Sequence, residues 1–302
     1  MGSSDNHSAR PGTGYKEFSR LSMSDQRGIA DEGWLRWLPA GAPPDAAPLE
    51  VGALEPRGLE GAERMASFWL SGGLVAAHSR GRSRDALWEA LQRRQVYATS
   101  GPRILLWFDW LNASSDGGAS TPMGGEARTR SAPRFRVRAL GARVQQPGCA
   151  DEAREILGDA RLALLCKDEC HHPGDTRQRI ARIEVVRIRP RQHAGERIEH
   201  LVEDPWRVFD CGPEAGACVV DFEDPEFPEA ARDAVYYVRA VQEASPAINA
   251  GTLRCRAGDQ RACQEVAPCY GDFRSDEADD CLAPAEERAW SSPIFVDYGA
   301  PS

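Results

Sequence analysis

Two potential metal ligands, Asp5 and His7, stand two residues apart in the Gly- and Ser-rich stretch GSSDNHSARPG at residues 2–12. Side chains of an extended strand alternate between its two faces, so residues two apart share a face. A carboxylate and an imidazole on one face suit two ligands of one divalent ion. Turns rich in Asn and Asp with a surface His have a similar composition. The stretch therefore predicts a metal-binding Asp-x-His motif at a strand end, with an ordinary turn as the alternative.

Two basic residues, Arg10 and Lys16, follow this motif in the same Gly-rich segment. An Arg guanidinium binds a phosphate or carboxylate through two parallel hydrogen bonds, and Lys adds a point charge. We predict that they bind the anionic group of a small-molecule substrate, with solvent-facing loop charges as the alternative. His78 ends an apolar run without a second ligand beside it and is interpreted as structural.

The composition indicates a globular protein and excludes some classes of partner. The 302 residues are 41% hydrophobic and 27% charged, and their number predicts two domains, or one domain and part of another. Lys and Arg number 37 against 46 Asp and Glu, a formal net charge of -9, so no nucleic-acid partner is expected. The most apolar stretch, residues 67–78, is too short to span a membrane. The composition gives no indication of the oligomeric state.

All nine cysteines come after residue 148. A Gly-, Asp- and Pro-rich loop at residues 251–285 has too little apolar content to pack by itself, so we predict disulfides among its four cysteines: Cys255, Cys263, Cys269 and Cys281. Zinc is the alternative at Cys166, Cys170, His171 and His172, but no Cys-x-x-Cys motif supports it.

Disulfides indicate an oxidising compartment, hence a periplasmic or extracellular protein. The chain itself carries no signal peptide, which would combine a charged segment with an apolar one. We therefore expect a truncated protein that is read here from an internal Met.

The pattern of the chain predicts an α+β protein that divides near residue 103. Before it, the segment from Ser83 to Gln95 predicts an amphipathic helix capped by Ser83. After it, alternating or apolar runs predict an antiparallel β-sandwich, residues 103–302. The predicted strands are 103–111, 133–140, 181–188, 197–202, 217–222, 234–241 and 292–298, and residues 151–165 form a short helix or irregular insertion.

Four segments resemble, in sequence and in order, the C-terminal part of proteins in the domain-of-unknown-function family 3604: GSSDNHSARPGTGYKEF, DALWEALQRRQVYATSGPRI, YYVRAVQEASPAIN and ERAWSSPIFVDY. That family resembles a branch of the PHP superfamily of metal-dependent hydrolases, named for polymerase and histidinol phosphatase. The resemblance implies a distorted β/α barrel in which His, Asp and Glu hold zinc, manganese or iron. Residues 1–102 would be the C-terminal part of this barrel, and a disulfide-stapled β-sandwich would follow.

The resemblance places Asp5 and His7 in the late Asp-x-His motif of the family. It implies hydrolysis of phosphoester-type substrates by metal-activated water. The early His-x-His motif has no counterpart in this sequence, and a catalytic metal normally needs three protein ligands. We therefore expect weak or absent metal binding and no activity in this chain alone. The alternative is a non-catalytic β-sandwich that acts as a binding or interaction module.

The first prediction concerns the four loop cysteines. We expect Cys255, Cys263, Cys269 and Cys281 to be disulfide-bonded in oxidised protein, because cross-links must replace the core that the loop lacks. Mass spectrometry of peptides from protein alkylated without reduction measures this. Alkylation of all four thiols would contradict it.

Overall fold

The computed structural model describes residues 2–3, 72–113, 120–213, 216–248, 255–257, 263–266 and 282–299. The helices are α1 (Arg84–Gln92), α2 (Asp151–Leu157), α3 (Asp159–Cys166) and α4 (Phe227–Ala230), with a 3-10 turn at Ile198–His200. The strands are β1 (Leu74–Ala77), β2 (Val96–Thr99), β3 (Leu105–Trp110), β4 (Thr121–Pro122), β5 (Glu126–Thr129), β6 (Arg134–Leu140), β7 (Arg143–Gln145), β8 (Pro173–Arg177), β9 (Ile180–Ile188), β10 (Val202–Asp210), β11 (Cys218–Glu223), β12 (Ala234–Gln242), β13 (Ser245–Ile248), β14 (Cys255–Ala257), β15 (Cys263–Val266), β16 (Leu282–Ala285), β17 (Arg288–Ser291) and β18 (Ile294–Tyr298). No helix among these residues is long and apolar enough to cross a membrane.

Two open sheets form the body of the fold. The larger has eight strands and runs β1, β2, β17, β12, β18, β5, with β9 also paired to β12 and β10 paired to β9. The smaller runs β11, β6, β3, β4. Pairing is antiparallel throughout, except that β18 and β5 run parallel. The described strands close no barrel, and the predicted barrel remnant is not confirmed.

The two sheets pack on a shared hydrophobic core. Strand β6 alternates buried Phe135 and Val137 with exposed arginines, because one face of the strand meets the core and the other meets water. On the larger sheet Tyr236 and Val238 of β12 join the same cluster, and the rings of Phe135 and Tyr236 lie 4.8 Å apart. Burying each such side chain contributes about 1.5–3 kcal/mol. This shared core holds the sheets face to face.

Helix α1 connects the first two strands and begins as predicted. The Ser83 hydroxyl accepts a hydrogen bond from the Ala86 N–H, which has no partner within the helix. Asp85 stands in the first turn, where its negative charge interacts favourably with the helix dipole. Strand β2 then pairs with β1 on one side and with β17 on the other, where Thr99 lies opposite Ala289. Segments on both sides of residue 103 therefore share one sheet. The division into two domains at that point stays a prediction.

One predicted strand is wrong, and its neighbour was missed. Residues 197–202 do not form a strand: Ile198–His200 is a 3-10 turn, and the apolar residues Ile198 and Leu201 follow the spacing of a helical turn. The strand begins at Val202 and contains Pro205, which argues against a central strand in a sequence pattern. Strand β10 tolerates it because, among the described strands, β10 pairs only with β9, and the register shifts between Glu203 and Arg207. The other predicted strands are present with slightly shifted ends.

A buried guanidinium links the two sheets. Arg187 of β9 is 2% exposed and donates hydrogen bonds to Asp224 (2.8 Å), to both oxygens of Glu203 (2.6 and 2.9 Å) and to Glu226 (2.7 Å). Asp224 directly follows β11 of the smaller sheet, whereas Glu203 lies on β10 of the larger one. The Tyr236 hydroxyl donates to Asp224 at 2.5 Å. One positive charge therefore ties together β9, β10, β12 and the end of β11.

The charge of Arg187 is stabilised in spite of its burial. Desolvation opposes the charged form, but the hydrogen bonds to Glu203, Asp224 and Glu226 outweigh it, and the pKa of Arg187 stays above its ordinary value. The guanidinium also lies 4.4 Å from the centre of the Trp206 ring. Burial and the neighbouring Asp224 carboxylate raise the pKa of Tyr236, so this hydroxyl remains a donor.

The second prediction tests this network. We expect Asp224→Ala to lower the free energy of unfolding by about 3 kcal/mol, because it leaves a buried charge without its most buried partner. Asp221→Ala is the matched control: Asp221 pairs with Arg136 between neighbouring strands, but both side chains are about half exposed, so the expected loss is below about 1 kcal/mol. Urea unfolding of both variants measures the difference, and equal losses would contradict the assigned role.

Candidate functional site

A cavity of about 400 Å³ lies where Gly2 and Ser3 meet β1, β2 and β17. Its described lining includes Gly73, residues 96–100 and residues 290–292. The first residues of the chain and the last strands of the larger sheet thus share one cavity. Gly2 and Ser3, which precede the predicted Asp-x-His motif, therefore lie against the sheet.

Two glycines allow the amino-terminal backbone to approach the sheet closely. A Cβ on Gly2 would lie 2.7 Å from the Leu74 carbonyl oxygen and 3.1 Å from the Ala98 Cβ. A Cβ on Gly73 would collide with the Ser3 carbonyl, its carbon atom being only 2.9 Å away. Any side chain at either position would therefore push the two segments apart. The sequence signal for this contact is the pair of small-residue stretches, Gly-Ser-Ser at the start and Gly-Gly before β1.

Two hydroxyl groups of the described lining form hydrogen bonds within the fold. The Tyr97 hydroxyl donates to the Ile104 carbonyl at 3.0 Å, and burial raises the pKa of Tyr97. The Ser291 hydroxyl accepts a hydrogen bond from the Val238 N–H at 3.0 Å. These contacts hold Tyr97 and Ser291 against neighbouring segments, Ile104 and β12, at the walls of the cavity.

Ser100 connects the cavity to a partly buried carboxyl group, that of Glu287. Its hydroxyl donates to Glu287 and accepts a hydrogen bond from the Arg288 N–H at 2.9 Å. Burial raises the pKa of Glu287, and the hydrogen bond from Ser100 opposes that rise without cancelling it. The pair therefore ties the turn after β2 to the segment that enters β17.

His78 serves the fold, as the sequence indicates. Its Nε2 lies 2.8 Å from the Leu106 carbonyl oxygen, within hydrogen-bond distance. The ring packs 5.4 Å from Tyr97 and 5.8 Å from Trp107. These contacts join the end of β1 to β3.

The residues predicted to do chemistry lie outside the described part of the chain. This holds for Asp5, His7, Arg10 and Lys16, and also for Cys269 and Cys281. Cys255 and Cys263 stand on β14 and β15, and only their backbone is described. Their predicted roles stay predictions.

The described cysteines form two disulfides that sequence reasoning did not pair. Cys149 bonds Cys170, and Cys211 bonds Cys218. The second closes a short loop between β10 and β11, for which the spacing of seven residues was an available signal. Cys166 lies beside the first disulfide, and the three sulfur atoms are within 4.8 Å of one another. Disulfides are compatible with an oxidising extracellular or periplasmic location.

Comparison with known proteins identifies one family. A family described as "Protein of unknown function (DUF3604)" matches residues 1–298. The matched range includes the Asp-x-His motif, the cavity and both sheets. No curated protein and no solved structure matches the chain.

The third prediction uses two neighbouring glutamates whose pKa values shift in opposite directions. Burial raises the pKa of Glu287, so the folded state favours its neutral form and loses that stabilisation as the pH rises. Hydrogen bonds from Arg182 lower the pKa of Glu286, so its stabilisation is present at neutral pH and disappears in acid. We expect Glu287→Gln to stabilise and Glu286→Gln to destabilise the protein at about pH 8; near pH 4 the Glu287 effect should be small, whereas the Glu286 effect declines only as the pH falls further, through the lowered pKa of Glu286. Urea midpoints at the two pH values measure this, and equal signs at pH 8 would refute it.

Proposed function

This chain belongs to the DUF3604 family, and on that premise we propose that it forms part of a metal-dependent hydrolase that cleaves phosphoesters. The observation that supports the proposal is the close packing of Gly2 and Ser3 against β1 and β2 beside a cavity. Two residues of extended chain span at most about 7 Å, so connectivity keeps Asp5 within that distance of Ser3. The proposed metal ligands thus follow directly from a backbone segment that the sheet holds in place.

The donor types fit a hydrolytic metal centre. Asp5 would supply a carboxylate oxygen and His7 a neutral imidazole nitrogen, ligands that suit zinc, manganese or iron. A divalent ion held there supplies Lewis acidity for the attack of water on an ester. A catalytic ion normally requires at least three protein ligands, so Asp5 and His7 would supply only part of the metal centre.

Substrate binding would fall to the basic residues that follow. Arg10 can donate two parallel hydrogen bonds to a phosphate group, and Lys16 can add a second positive charge. The overall charge of -9 repels anions, so local positive charge is needed to bind an anionic substrate. The proposed substrate is accordingly a small phosphomonoester or phosphodiester.

A groove lined by residues of β6, β10 and β11 favours the alternative function, a binding module. It has a volume of about 530 Å³ and its lining includes Arg134, Arg207, Phe209 and Phe222. The Arg207 guanidinium lies 4.2 Å from the centre of the Trp206 ring. The lining also includes the carboxylates of Asp221 and Glu223, so the groove suits a planar ligand that stacks on the aromatic rings and hydrogen-bonds to groups of both charges, without any chemistry.

The fourth prediction separates the two functions. In the protein as its gene encodes it, supplied with Mn²⁺, we expect hydrolysis of phosphoesters and a loss of at least about 100-fold in kcat/KM for Asp5→Asn and His7→Ala. Asn6→Ala is the matched control, since Asn6 lies between the two ligands and would face the other way on a strand.

A screen of aryl phosphomonoesters and phosphodiesters measures these rates. Equal activity in Asp5→Asn and Asn6→Ala would contradict the metal assignment. Absence of metal-dependent hydrolysis in the wild-type protein, together with ligand binding that Arg207→Ala abolishes, would support the binding module instead.

A further inference from the structure

The geometry points to a second metal site, built from the thiolates of Cys149, Cys166 and Cys170 and available when the Cys149–Cys170 disulfide is reduced. The three sulfur atoms lie within 4.8 Å of one another, and those of Cys149 and Cys166 are 3.6 Å apart. They belong to an insertion between β7 and β8 that contains α2 and α3. This site is separate from the proposed hydrolytic centre and does not depend on it.

Backbone hydrogen bonds hold the cysteines together independently of the disulfide. The Cys170 N–H donates to the Gly148 carbonyl at 3.3 Å, and the Gln146 N–H donates to the His172 carbonyl at 2.8 Å. These bonds keep the two ends of the insertion side by side. Reduction of the sulfur–sulfur bond therefore leaves Cys149 and Cys170 as neighbours.

A turn at the end of α3 brings the third sulfur into the cluster. Lys167 and Asp168 both adopt positive φ angles, 49° and 64°, which reverse the chain directly after Cys166. The Glu169 N–H donates to the Cys166 carbonyl at 2.9 Å and closes the turn. Cys170 thereby returns beside Cys166, one residue beyond the turn.

The insertion has almost no core of its own. No residue of α2 is buried, and Leu162 is the buried residue of α3. Ile156 and Leu164 are 72% and 73% exposed. A segment with so little buried apolar surface needs a cross-link to stay folded, and either a disulfide or a metal ion can supply it.

Three cysteines exceed what one disulfide uses but match what a thiolate site uses. Zn²⁺ and similar borderline or soft ions prefer thiolate ligands, and three sulfur atoms fill three of the four positions of a tetrahedral site. A dithiol reductant opens the site: it becomes a disulfide, the Cys149–Cys170 bond breaks, and each sulfur takes one hydrogen. Binding of the divalent ion then releases the three thiol protons to solvent. The insertion would thus exchange a covalent cross-link for a metal one.

The test is an anaerobic titration with Co²⁺, a spectroscopic probe for zinc sites, of the full chain after reduction and removal of the reductant. We expect absorption from thiolate-to-cobalt charge transfer, which carboxylate and imidazole ligands do not produce. In Cys166→Ser the number of Co²⁺ equivalents that produce this absorption should fall by one. Cys166→Ser retains the Cys149–Cys170 disulfide, so the oxidised variant can be compared with the oxidised wild type by circular dichroism before reduction.

The matched control is the double variant Cys211→Ser with Cys218→Ser, which removes a disulfide elsewhere in the fold. It should retain the wild-type number of equivalents. An unchanged number in Cys166→Ser, or a wild-type chain without charge-transfer absorption after reduction, would overturn the assignment. This test is independent of the proposed hydrolytic function: Asp5→Asn should lower hydrolysis but leave the thiolate-to-cobalt absorption unchanged, because Asp5 has no sulfur atom.

Discussion

The buried charge of Arg187 joins the two sheets that the hydrophobic core packs together. A guanidinium with almost no solvent contact is tolerated only when acceptors surround it, and here three carboxylates provide them, one of which, Asp224, also accepts a hydrogen bond from Tyr236. Since those acceptors come from β10 and from the segments after β11, the charge can be satisfied only when both sheets are assembled. The hydrophobic core is non-directional, whereas this network specifies one arrangement of the strands around it.

That arrangement also positions the candidate site. Strand β12 pairs with β9, which carries Arg187, and with β17, which pairs with β2 beside the cavity. The order of these strands joins residues that are far apart in sequence, so Thr99 lies opposite Ala289. Gly2 and Gly73 allow the amino-terminal segment and the start of β1 to approach each other without side chains between them. The position of the proposed metal ligands, Asp5 and His7, would therefore depend on the packing of Gly2 and Ser3 against this sheet.

Much of the secondary structure could be predicted from local pattern. The Ser83 cap and the alternation of Phe135 and Val137 with arginines depend on neighbours in sequence, and both predictions are confirmed. The prediction failed where context decides: Pro205 in an edge strand, and the turn at Ile198, whose apolar spacing was interpreted as a strand. Of the candidate site, the sequence indicated ligand types at Asp5 and His7, while the cavity beside Ser3 required strands from both ends of the chain.

The sequence by itself determined the family and the preference for sheet over helix, because both follow from residue type and local spacing. Only the tertiary structure decided which cysteines meet, how β2 joins β17, and where Arg187 finds its acceptors. The physical reason is that pairing between distant segments depends on the order of strands in a sheet. No periodicity within one segment specifies that order.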